Sequence, residues 1–150
     1  MRRSAGLLRD QNILVFDAHS RIALANAEVR AGDVDRALAV IDETLTTSER
    51  IGHRTFDAAL HRVHGETLLK HNPANPAPAE EAFQTAIAVA KGQATRSFEL
   101  RAAFSLAKLY QSIGRPANAH TVLVPALEGF APRPELPDIA EAVSLVARLV

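Results

Sequence analysis

Three imidazoles stand at His61, His64 and His71, spaced by three and by seven residues. On one helix they would share a face and could offer nitrogen ligands to a metal ion. A closed zinc site wants four ligands, and a single helix supplies too few of them. Neither His61 nor His71 has a carboxylate beside it on that face, so the spacing predicts three ordinary histidines and no metal. No cysteine occurs in the 150 residues, which removes disulfides, thiolate nucleophiles and cysteine-based zinc sites together. Ser, His and Asp are all present, but no nucleophile motif or strand-to-helix elbow gathers them. No Gly-rich segment ends in Gly-Lys-Ser or Gly-Lys-Thr, the pattern whose amides and lysine hold phosphates. These residues predict neither catalysis nor a cofactor.

The bulk properties narrow the partners. Lysine plus arginine and aspartate plus glutamate each number 17, giving zero net charge. No overall field draws the chain to nucleic acid or to anionic lipid. A composition 47% hydrophobic and 23% charged is that of a folded globular chain, with a length suited to one domain. The opening Met1-Arg2-Arg3-Ser4-Ala5-Gly6-Leu7-Leu8-Arg9-Asp10 has the charge of an export signal but not its apolar stretch. No apolar run approaches the roughly 20 residues of a membrane span. The expected location is the cytoplasm, with no membrane and no nucleic-acid partner.

The elements that must position any site are helices. Apolar positions recur at helical spacing nearly throughout, and the alternating β-branched pattern of strands is missing. Breakers fall at Gly32-Asp33, Gly52, Asn72 to Pro78, Gly92, Gly114-Arg115-Pro116 and Pro132 to Pro137. They predict seven helices near 12–31, 34–50, 54–71, 78–91, 96–113, 117–129 and 138–149, with residues 1–11 as an N-terminal extension. Asp33 suits the cap of the second helix, and Gly32 and Gly114 suit left-handed closures. The Pro73 to Pro78 stretch is expected to be a stiff loop between helices. Val34, Leu38, Ile41 and Leu45 mark the buried stripe of the second helix, while the fifth carries apolar residues on two neighbouring faces.

A helix packed on several sides belongs to a stacked array, so internal repeats are expected. Thr55-Phe56-Asp57-Ala58-Ala59-Leu60 aligns with Ser97-Phe98-Glu99-Leu100-Arg101-Ala102 at an offset of 42, and Gly65 then meets Ala107. At twice the average period Gly32 matches Gly114, Ala37 matches Ala119 and Leu45 matches Leu127. In this register His64 aligns with Leu24 and Leu106, a core position. Small residues at Ala25, Gly65 and Ala107 fit places where two helices approach closely.

The units Leu24-Ala25, Gly32, Ala37, Ile41, Thr44-Leu45; Gly65, Leu68, Ala79, Phe83, Ala86-Ile87; and Leu106-Ala107, Tyr110, Gly114, Ala119, Leu123, Ala126-Leu127 resemble the tetratricopeptide repeat. The long period, with Ala39 to Glu43, Leu60 to Glu66 and Ser97 to Ala103, resembles a narrower group. These are the C-terminal regions of bacterial class III adenylate cyclases and ATPase-containing transcriptional regulators. The likeness runs from about Ala23 to Leu149. It implies an all-α, right-handed α-α superhelix of about three hairpins plus a C-terminal capping helix, spanning residues 12–150. It also implies that any cyclase chemistry lies outside these residues.

In that family the first helix of each pair lines a concave groove. The register puts Asn26, Arg30, Arg62, Glu66, Lys70, Arg101, Phe104, Lys108 and Gln111 there. Five cations and one carboxylate predict a groove for an acidic or C-terminal-carboxylate peptide, with Phe104 as an apolar contact. The competing reading is a solvated face on which Arg62, Glu66 and Lys70 form spaced ion pairs. The expected role is a non-catalytic protein-protein interaction module, the regulatory tail of a signalling protein. A sensor whose groove closes over a peptide or small molecule is the alternative. An array cut at its N-terminal end should also expose apolar surface and favour a homodimer.

Overall fold

The structure, a computed structural model, describes residues 2–131 and 136–150, with side chains from residue 17 onward. Seven helices account for the described residues, with no strand: α1 Arg2–Ala31, α2 Val34–Ile51, α3 Asp57–His71, α4 Ala77–Gly92, α5 Arg96–Ser112, α6 Pro116–Leu127 and α7 Pro137–Leu149. The backbone of α1 is helical from Arg2, so the expected extension over residues 1–11 is largely continuous with the first helix. The apolar N-terminal end expected to favour a dimer lies on side chains outside the described residues, as does part of the Pro132 to Pro137 joint.

The joints follow their local chemistry. The Asp33 carboxylate accepts from the Arg36 amide at 3.1 Å, and Gly32 and Gly114 take φ values of 87° and 75° that only glycine adopts without strain. Pro stands in the first turn of α4, α6 and α7, where its missing N–H costs nothing. α4 ends at Gly92, one residue past the expected 91. The left-handed residue is Ala94, at φ 54°, and the Thr95 amide and hydroxyl both reach the Ala90 carbonyl at 2.9 and 3.3 Å.

Each helix packs on the next, and α1, α3, α5 and α7 also touch in sequence, whereas α2, α4 and α6 do not touch one another. The odd helices thus form one layer, and the even helices sit over the seams between them. α5 is consequently buried most of the way round, through Leu100, Ala102, Ala103, Leu106, Ala107, Leu109 and Tyr110. Its expected two-sided packing is what the structure contains, although Ile113 at its end is exposed. On α2 the buried stripe is Ala37, Ile41, Thr44 and Ser48, turned slightly from the expected one. Val34, Leu38 and Leu45 flank it, half-buried.

Ala25 and Ala107 are fully buried. Gly65 is needed because a Cβ there would lie 2.6 Å from the Phe83 ring. The 42-residue offset also has a physical counterpart. Arg54 Nε donates to Asp57 at 2.7 Å and Arg96 Nη1 to Glu99 at 2.5 Å, both carboxylates being buried. The Phe56 and Phe98 rings lie 6.1 Å apart.

Candidate functional site

Six of the nine expected groove residues come together. Arg62, Glu66, Arg101, Phe104 and Lys108 line an open hollow of about 300 Å³ between α3, α5 and α7. A neighbouring hollow of about 450 Å³ between α3 and α5 shares Glu66 and Lys108 and adds Lys70. The two hollows meet at the Glu66, Ser105 and Lys108 side chains. Asn26 and Arg30 on α1 and Gln111 near the end of α5 line neither hollow. Arg30 and Gln111 are exposed and Asn26 is half-buried.

The charge balance differs from the expectation. α7 brings Asp138 and Glu141 to the first hollow, so four cations face three carboxylates across the pair of hollows. Asp138 accepts from Arg101 Nε at 2.7 Å. Glu66 accepts from Arg62 at 2.6 Å and from the Ser105 hydroxyl at 2.9 Å. Lys108 Nζ sits 4.7 Å above the centre of the Phe104 ring, close enough for a cation–π contact. Lys70 is exposed, with no ion pair among the described residues. The predominantly positive groove is therefore corrected to a compensated one. Its two additional carboxylates, Asp138 and Glu141, come from a helix outside the repeat register.

The second hollow has the more specific build. Leu69, Phe83 and Leu109 form its apolar base, and Lys70 and Lys108 stand at its edge. An apolar seat with two ammonium groups beside it can take an apolar side chain together with a carboxylate.

The histidines are not arranged for a metal. Among the described residues no group of three or more His, Asp or Glu could hold an ion. His64, expected in the core, is 25% exposed and faces Asp42 of α2 at 3.9 Å. His71 Nδ1 lies 3.5 Å from Asp35 of α2. Asp57 stands four residues before His61 on α3, so the expectation that these imidazoles lack carboxylate neighbours is also corrected. The His61 pKa is lowered mainly by burial, against the attraction of Asp57.

Ser48, His53 and Asp57 do converge, beside a cavity of about 20 Å³ with room for about one water. The Ser48 hydroxyl is 2.5 Å from Asp57 Oδ1 and 2.8 Å from the His53 carbonyl, and shares its one proton between them. That proton goes to a carboxylate rather than to an imidazole, so the serine is not activated as a nucleophile. The cluster closes the joint between α2 and α3.

Two further features escaped the sequence. Tyr110 donates to Glu80 at 2.8 Å while Arg115 lies 4.7 Å over its ring and 3.3 Å from Glu80. Burial and that hydrogen bond raise the Tyr110 pKa. The cluster locks the start of α4 to the end of α5. Between α4 and α6, where the even helices do not touch, a cleft of about 550 Å³ is lined by Ile87, Leu106, Val122 and Ala126. No helix of the described residues is long and apolar enough to cross a membrane. The chain matches no protein-family model, no curated protein and no solved structure.

Proposed function

We propose that the chain is a non-catalytic interaction module that takes the C-terminal end of a partner peptide in the hollow between α3 and α5. In this reading the helices form a right-handed superhelix of three tetratricopeptide-like hairpins capped by α7. The module serves as the regulatory tail of a cytoplasmic bacterial signalling protein of the adenylate cyclase kind. The observation that carries the peptide reading is the pairing of the Leu69, Phe83 and Leu109 base with Lys70 and Lys108 at its edge. An apolar C-terminal residue fills the base, and its carboxylate accepts from the two ammonium groups. Lys108 lines both hollows, and its ammonium rests on the Phe104 ring of the first.

The openness of the site favours a peptide over an enclosed small molecule. A sensor needs a pocket that buries most of its ligand, whereas the α3–α5 hollow is open and the cavity beside Ser48 has space for about one water. The compensated charges of the neighbouring hollow add recognition rather than raw attraction, since an acidic residue there must displace Asp138 from Arg101.

The test is selection from a library of peptides displayed with free C-termini, followed by anisotropy titration of the selected peptides. The reading expects apolar C-terminal residues and a loss of binding on C-terminal amidation or in a Lys70→Glu/Lys108→Glu variant. Selected peptides that bind equally well when amidated contradict it.

A further inference from the structure

Arg62 pairs with Glu66 and Arg101 with Asp138 around the two hollows. Lys70, Lys108 and Glu141 are left, each exposed and in no ion pair among the described residues. These three charges are sorted along the site. Lys70 and Lys108 stand at the α3–α5 hollow, while Glu141 reaches only the hollow beside α7. Leu100 and Phe104 give that second position an apolar floor. Once the ion pairs are set aside, the site is positive at one end and negative at the other.

We infer that the bound peptide carries a basic residue two positions before its C-terminal residue, and that Glu141 selects it. This specificity rests on the C-terminal peptide reading given above. From Phe104 in the hollow beside α7 to Leu109 in the α3–α5 hollow, five residues of α5 advance about 7.5 Å. Two residues of an extended peptide advance about 6.6 Å, and side chains two apart point to the same side. With the C-terminal side chain on the Leu69, Phe83 and Leu109 base, the side chain two positions earlier enters the hollow beside α7. There a lysine or arginine lays its methylenes over Leu100 and Phe104 and brings its charge to Glu141. An acidic side chain meets Glu141 instead, and finds Arg62 and Arg101 already engaged at 2.6 and 2.7 Å. The peptide's own carboxylate answers Lys70 and Lys108, so the unpaired charges are matched at both ends.

Anisotropy titration of three labelled free-acid peptides tests the inference, the peptides differing only in Arg, Ser or Glu two positions before a C-terminal Leu. The full wild-type chain is expected to bind the Arg peptide about threefold or more tighter than the Ser peptide, with the Glu peptide weakest. In the Glu141→Lys variant, an exposed substitution whose thermal melt stays that of the wild type, the order inverts. Moving the Arg one position nearer the C-terminus puts it on the other side of the strand and removes its advantage. Equal wild-type affinities, or a ranking that Glu141→Lys leaves unchanged, overturn the inference, as does an Arg that keeps its advantage when moved. If amidation still weakens all three peptides in those cases, the C-terminal reading survives without it. Peptides that bind equally well when amidated, or that fail to bind up to about 1 mM, overturn that reading and this inference together.

Discussion

The second and third hairpins place different residues at aligned positions to solve one packing problem. Where α3 crosses α4, Gly65 lies under Phe83. At the aligned positions of α5 and α6 stand Ala107 and Leu123, all four residues lying in the interior. A larger side chain on the even helix goes with a smaller one on the odd helix, so the space filled is shared rather than assigned to one position. The buried carboxylates differ in the same way. Asp57 is held by Arg54 and by Ser48 of the preceding hairpin. Glu99 is held by Arg96, which also donates to the Ala126 and Glu128 carbonyls at 3.3 and 2.6 Å and stacks on Phe130. In the second unit the acid fastens the array backward, and in the third the arginine fastens it forward.

The largest effect should come from emptying the second unit's core. Phe83→Ala is expected to lose about 3–5 kcal/mol of stability in denaturant unfolding, more than Leu123→Ala at about 2–5 kcal/mol. Gly65→Ala should follow at about 1–3 kcal/mol, because the buried ring cannot swing away and the strain outweighs the helix propensity gained. The double variant Gly65→Ala/Phe83→Leu recreates the third unit's solution and should recover most of that loss. Additive destabilisation in the double-mutant cycle would break the comparison.

Smaller still, Asp57→Asn should cost more than Glu99→Gln, since an amide keeps one accepting oxygen, which is too few for Asp57's two donors on separate oxygens but enough for Glu99's one. Differences of about 1 kcal/mol are expected between them in the same unfolding assay. The smallest effect is a pH dependence from His61. Burial lowers its folded pKa below the ordinary 6.5. The unfolded chain therefore takes up the proton first, and stability falls as the pH drops below about 6.5. His61→Gln should flatten that part of the stability profile measured between pH 7 and 5.

How far these features were legible depended on whether neighbours in sequence or in space produce them. The helix joints were readable because Asp33, Gly32, Gly114 and the helix-starting prolines act on their own backbone. Gly65 and Phe56 to Asp57 were readable through the 42-residue offset, which repeats whatever packing repeats. The closure at Ala94 was not, since nothing in alanine favours a positive φ; nor was the start of α3 at Asp57, three residues late, where the Arg54 turn and the Ser48 bond set the boundary. The groove was half legible. Register placed Arg62, Glu66, Lys70, Arg101, Phe104 and Lys108 on adjoining faces, but Asp138 and Glu141 approach from α7, which no repeat position predicts. Asn26 and Arg30 failed to join because the hollows begin at α3.

The central functional claim is that Lys70 and Lys108 hold a carboxylate above the Leu69, Phe83 and Leu109 base. Its most direct measurement is an anisotropy titration of one selected peptide in two forms, free acid and C-terminal amide, against the wild-type chain. The hollow's geometry predicts that amidation weakens binding by about 10-fold or more, the worth of a charge-assisted hydrogen bond. Equal affinities for the two forms would contradict it.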